Sequence, residues 1–264
     1  MLLCKPSQQK TKSTLQNHHK RYACSPPGSG ARHTSYFLYI FAENGNFIMT
    51  LAEAIALRHS VRAFTKRPIE REKLDVLESE IEKYREAGIE MQLVEGSGKI
   101  FGNLLAYVSR FRNVPACIVI PEGQDEIGAG YYGERIVLLA QTLGLNSCWV
   151  GTSCSKREAR KASGAKPMVT IALGYGATQG KAHKSRNYYD VCDVENAPQW
   201  FRAGVKAALL APTAFNRQDF RISLSPVGTP VFTAGKGKFA NIDLGIVKCH
   251  FDLAAEACRE QGEA

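Results

Sequence analysis

The chain has 264 residues, 44% of them hydrophobic, enough to bury a substantial core as one large domain or two small ones. Its formal net charge is +9, but residues 1–48 carry six Lys and Arg against Glu43 alone, so the remainder is only mildly basic. No basic stripe interleaves with aromatics and no apolar run nears the length of a bilayer span, so neither nucleic acid nor membrane is expected as a partner. The excess charge suits a small anionic ligand.

Eight cysteines show no CxxC spacing and no pairing with His. Neither a metal site nor a disulfide framework is expected, and Cys117, inside the apolar run Ala116–Ile120, reads as a small hydrophobe. Such usage fits a reducing, cytoplasmic compartment.

Residues 1–48 are rich in Gln, Ser, Lys and His, contain Pro26-Pro27-Gly28-Ser29-Gly30, and lack sustained periodicity. They read as a disordered basic extension, with Met49 as an alternative start. Tyr36–Ala42 is too short, and too poorly followed, for a signal peptide. The domain is expected over 49–264, in two unequal halves of roughly 49–190 and 191–264.

Leu51–Leu57 reads as a short helix delivering Arg58. Pro68-Ile69-Glu70 opens an amphipathic helix with Leu74, Leu77, Ile81 and Tyr84 on one face, ended by Gly88. Ile89–Glu95 alternates as a half-buried strand, and Ala116–Ile120 is apolar throughout, as a buried strand would be. Asp125-Glu126 reads as solvated surface. A long apolar helix is expected over Gly130–Leu143, strands over Ser147–Val150 and Val169–Gly174, and a charged helix over Lys156–Ser163. A shorter series follows: helix Gln199–Leu210, strand Phe220–Leu224, a possible partner at Val231–Thr233, and helix Asp243–Glu260. The two series rhyme, suggesting pseudo-twofold halves. The fold class expected is α+β, helices flanking a mostly antiparallel sheet.

Two segments carry most of the chemical content. Arg58-His59-Ser60-Val61-Arg62 packs two guanidiniums, an imidazole and a hydroxyl into five positions, a grip suited to a phosphate monoester. Ala211-Pro212-Thr213-Ala214-Phe215-Asn216-Arg217-Gln218 is a Pro-turned loop whose amides match a heteroaromatic edge. Read without context, the first is also a solvated surface run and the second a helix stop. His59 and His250 have no Ser or Cys partner spacing for a triad, and His250 rides the last helix among apolar neighbours, where core packing is expected.

Together with Gly144–Thr152 and Lys184-Ser185-Arg186, these segments resemble the nitroreductase family, over 49–258 and most closely a divergent branch in which one chain holds both halves of the usual dimer. The resemblance implies flavin mononucleotide (FMN) as cofactor. Arg58, His59, Ser60 and Arg62 would hold the phosphate and ribityl end, with Lys184 and Arg186 completing the cationic cup. Trp149, Val150, Gly151 and Thr152 would run beside the isoalloxazine, Thr152 giving its amide to flavin N5; Trp149 also reads as a plain core aromatic. Pro212, Thr213, Ala214, Asn216 and Gln218 would reach the flavin from the second half. No catalytic side chain is implied, because the flavin carries the hydride chemistry. The implied activity is ping-pong reduction of nitroaromatic or quinone-like acceptors with NADH or NADPH as donor, by a monomer with an internal pseudo-dimer or by a homodimer. The alternative is a non-enzymatic flavin store or sensor. The chain departs from the family in having Asp219-Phe220 after Gln218, and in lacking the Asn loop near Ala87–Glu90.

Overall fold

The computed structural model describes residues 49–262, so the expectation for 1–48 lies outside the described residues. Helix α1 (Leu51–Leu57) is set by a capping box in which Thr50 Oγ1 accepts the Glu53 amide while Glu53 accepts the Thr50 amide. At Arg58 the backbone turns extended, and the chain runs on to Phe64 without joining a regular strand. Helix α2 (Arg71–Glu86) buries Leu74, Leu77, Ile81 and Tyr84, the stripe its apolar spacing predicts.

The next strand is shorter than its alternation suggests: β1 covers Gln92–Glu95. At Glu90 both backbone groups are taken by one side chain, since Gln124 accepts the Glu90 amide at 2.8 Å and donates to its carbonyl at 3.0 Å. A glutamine thus replaces a strand neighbour there. Helix α3 (Leu104–Val108), capped by Asn103, precedes β2 (Ala116–Pro121). Helix α4 (Glu126–Thr142) begins a turn earlier than the apolar run, because Asp125 accepts the Ile127 amide as its N-cap. Asp125 is therefore a structural cap rather than idle surface. Then come β3 (Asn146–Val150), α5 (Lys156–Ser163), β4 (Pro167–Gly174), α6 (Tyr188–Val191), α7 (Gln199–Ala208), β5 (Phe220–Leu224), β6 (Pro230–Ala234) and α8 (Ala240–Gly262).

The first four strands form an antiparallel sheet in the order β1-β2-β4-β3, and β5 and β6 pair as a separate antiparallel ribbon. The class is α+β. Strands β2 and β4 are buried on both faces, which explains their continuous apolar sequences. Ile118, Ile120 and Ile171 enter the main core under α2, α4 and α8, while Cys117, Val119 and Ala172 face a second core containing Phe101 and Phe111. Among the described residues, no helix is long and apolar enough to cross a membrane.

Two features position the site. The extended segment after α1 lies along β3, where the Val61 amide donates to the Ser147 carbonyl at 2.9 Å and Ser60 bridges Ser147 in parallel. Helices α4 and α8 cross at near backbone contact. A Cβ on Gly130 would stand 2.2 Å from the Ile242 carbonyl oxygen, and one on Gly245 would stand 2.0 Å from that of Ile127. Only glycine at both positions permits this approach.

Candidate functional site

The site is a cleft with two contiguous arms of about 370 and 440 Å³, both bordered by Ser60, Arg62, Pro212, Thr213 and Phe215. Volumes of this order suit a cofactor-sized ligand. Residues from both halves of the chain form its walls.

One arm is cationic. Arg58, Arg62, Lys181 and His183 border it, with Asn216 opposite. Arg58 is only 4% exposed, and its Nε and Nη1 are buried without a hydrogen-bond partner among the described residues. A buried guanidinium with unmet donors is costly unless an acceptor arrives. The nearest carboxylate is Glu134, whose Oε1 lies 3.6 Å from Arg58 Nε, within ion-pair range but beyond a hydrogen bond. Arg62 is exposed and borders both arms. His183 approaches the Leu209 carbonyl with Nε2 at 3.0 Å, and burial lowers its pKa below the usual imidazole range.

The other arm mixes aromatic and aliphatic side chains with backbone and hydroxyls. Its walls include Trp149 to Ser153 from the end of β3, Phe239 and Ile242 from the approach to α8, and Ser109 and Phe111. Ser109 and Ser153 are linked hydroxyl to hydroxyl at 2.7 Å. Trp149 borders the cleft, yet its indole N–H donates to Glu134 at 2.6 Å and its ring packs on Gly133. It serves core and cleft at once. At Gly151 the place a side chain would need is filled by the Phe239 ring, 2.5 Å from an ideal Cβ. The missing side chain there accommodates Phe239 in this structure.

Asp243, in the first turn of α8, faces the same arm. Both its oxygens accept the Ala214 amide at 3.0 Å, and burial raises its carboxyl to about 6 against the opposing effects of that bond and Arg217. The loop it supports is strained. Phe215, Asn216 and Gln218 all have φ near +50°, uncommon for residues with side chains, and Phe215 stands 82% exposed at the junction of the arms.

The other residues singled out in the sequence divide by what their side chains do. His59 borders neither arm; its Cβ packs near Gly180. Lys184 and Arg186 have exposed side chains outside the cleft lining, where Lys181 and His183 stand instead. What the structure uses of 184–186 is backbone. Asn216 and Gln218 both donate to the Lys184 carbonyl, at 2.9 and 2.8 Å, and Gln218 accepts the Arg186 amide at 2.9 Å. Gln218, 1% exposed, is thus a tether between two loops. Sequence reasoning passed over Lys181, His183, Phe239 and Asp243. For Phe239 and Asp243, their place just before and within the start of the last helix, facing a Pro-turned loop, was the available signal.

A family model described as "Putative TM nitroreductase" matches residues 50–255. The chain belongs to this nitroreductase family. Among solved structures, a nitroreductase from Thermotoga maritima MSB8 is 24% identical with a TM-score of 0.61, over 88% of this chain and 91% of that one. One from Desulfovibrio desulfuricans, described as in complex with FMN, is 19% identical with a TM-score of 0.44, over 56% of this chain and 98% of that one. No curated protein matches. The Thermotoga nitroreductase shares the fold along nearly its whole length.

Proposed function

We propose that this nitroreductase-family protein is an FMN-dependent NAD(P)H oxidoreductase that reduces nitroaromatic or quinone-like acceptors in ping-pong fashion. The observation that carries the reading is the pairing of an aromatic-lined, backbone-edged arm with a cationic arm containing buried Arg58 nitrogens that have no partner among the described residues. FMN has the matching ends, an aromatic ring system and a doubly ionisable phosphate, and the residues present fit it.

Arg58 and Arg62, with Lys181 beside them, would hold the phosphate through charge-assisted hydrogen bonds. Ser60 stands where the arms meet, suited to the ribityl hydroxyls, and the Trp149–Thr152 backbone with Pro212–Ala214 would flank the ring. On this reading Thr152 offers its amide to N5. Bound FMN would supply the hydride chemistry between NADH or NADPH and the acceptor, the two ligands using the cleft in turn. The chain's part is to orient the two ligands in turn and to exclude water with Phe239, Phe215 and Ile242. Because both halves wall the one cleft, a monomer holding one FMN is the assembly the reading favours.

Purified protein tests it directly. Flavin absorbance bands, a flavin-to-chain ratio near one, and steady oxidation of NADH or NADPH on adding a quinone are expected. Protein that binds FMN yet oxidises neither nicotinamide is a flavin store or sensor, and the oxidoreductase reading fails.

A further inference from the structure

Behind Arg58 lies a buried polar cluster that the cofactor contacts do not use. Glu134 of α4 and His250 of α8 are both 0% exposed. Glu134 Oε2 accepts the Trp149 indole N–H at 2.6 Å, and its Oε1 lies 2.9 Å from His250 Nε2. On the other side of the imidazole, Nδ1 lies 3.1 Å from the Ala207 carbonyl oxygen. A carbonyl only accepts, so Nδ1 carries a hydrogen.

That leaves two proton placements across the 2.9 Å contact. Either Nε2 also carries a hydrogen and donates to a carboxylate, or neutral Glu134 donates to Nε2. An unprotonated Nε2 facing an ionised carboxylate would set lone pair against lone pair. In both allowed placements one proton lies between Glu134 and His250, and the pair sums to zero charge. The positive charge left in the cluster belongs to Arg58, whose Nε and Nη1 find no acceptor among the described residues.

We propose that His250 is a positioning residue for the cofactor's anionic end: by sharing a proton with Glu134 it neutralises the one carboxylate within ion-pair reach of Arg58 among the described residues and so reserves the guanidinium for a phosphate. Without His250, Glu134 would be an ordinary buried carboxylate 3.6 Å from Arg58 and would pair with it. The phosphate would then compete with an internal anion. His250 is bonded through Glu134 rather than to any ligand, so it acts at one remove.

The inference rests on the FMN reading above, and comparing FMN with riboflavin separates the two. Riboflavin has the ring and ribityl chain but no phosphate. If wild-type protein binds FMN no more tightly than riboflavin, the FMN-phosphate reading itself fails. If wild type prefers FMN, the variants decide the inference. His250→Gln keeps the volume and a donor but shares no proton, and should cut the FMN preference about tenfold while leaving riboflavin affinity near wild type. In His250→Gln/Glu134→Gln the competing carboxylate is gone, and the preference should recover. A merely structural role for His250 would weaken both flavins together, and the second change would restore nothing. Glu134→Gln alone supplies the arm that survives if His250→Gln does not fold. Its FMN preference should equal or exceed wild type, and a selective fall would show that Glu134 holds Arg58 in place, overturning the inference.

Discussion

At the scale of single residues, the cleft sorts its charged groups by burial. Exposed Arg62 borders both arms without a carboxylate partner among the described residues, so Arg62→Ala should remove one charge-assisted contact at little cost to folding. FMN should weaken roughly tenfold, about 1.4 kcal/mol at the low end of such contacts because the group is solvated, and riboflavin should hardly change. Titration of both flavins by fluorescence checks it, and equal losses would place Arg62 away from the phosphate. Asp243 is the reverse case. Its folded pKa of about 6 lies above the ordinary aspartate value of 3.8, so the folded state binds this proton more tightly than the unfolded chain does. The associated stability is fully present below about pH 4 and is lost as pH rises through 6. Asn cannot ionise, so Asp243→Asn should gain on wild type between pH 4 and 7 by on the order of 2 kcal/mol. Urea unfolding at both pH values reads the difference, and an unchanged gap would show that burial does not govern this carboxyl. The Arg58–Arg62 and Pro212–Gln218 segments were legible because their residue types are chemically loud. What could not be read was direction: that the Lys184 and Arg186 side chains turn outward, and that the Asn216 and Gln218 amides bind a neighbouring loop, follow from how two distant segments meet.

At the scale of elements, legibility followed burial. Strands β2 and β4, apolar on both faces, and α2, with its regular stripe, stand close to where their sequences put them. Helices α3 and α6, of five and four residues, bury Ala106 and Val191 respectively and leave no periodicity to detect. Strand β1 starts late because Gln124, 34 residues away, supplies the pairing at Glu90. The crossing of α4 and α8 was equally invisible, since Gly130 and Gly245 look like flaws in helices. Intrinsic propensity says that Gly245→Ala should stabilise α8 by about 1 kcal/mol. Packing says otherwise, because the new Cβ would meet the Ile127 oxygen at 2.0 Å and the Tyr131 nitrogen at 2.7 Å. Forcing the helices apart should cost about 1–3 kcal/mol or more, and packing should win. Chemical denaturation gives the sign, and a stabilised variant would mean the crossing is looser than it stands here.

For the whole molecule, the question is whether one chain makes one site. The cleft draws Ser60, Arg62 and Trp149 from the first half and Pro212, Phe239 and Asp243 from the second. Helices α4 and α8 each present a glycine to the other's backbone, and the second half carries a two-stranded ribbon where the first carries a four-stranded sheet. With both walls in one chain, sedimentation at low micromolar concentration should find a monomer with one flavin. Mixing Arg62→Ala and Asn216→Ala proteins should restore no activity. Restoration would mean that the walls of each site come from different chains, and the internal reading would be lost.

The stretch that presents Arg58 and Arg62 also lies along β3 and takes up the Ser147 carbonyl. Were that stretch to lift away, the Ser147 carbonyl on the outer edge of β3 would be bared, and a second chain could add a strand there. An anion gripping Arg58 and Arg62 would hold the stretch down, so ligand supply and colloidal stability are linked through seven residues. Protein made in flavin-starved cells should therefore be lost to aggregation sooner than its folding free energy alone would suggest.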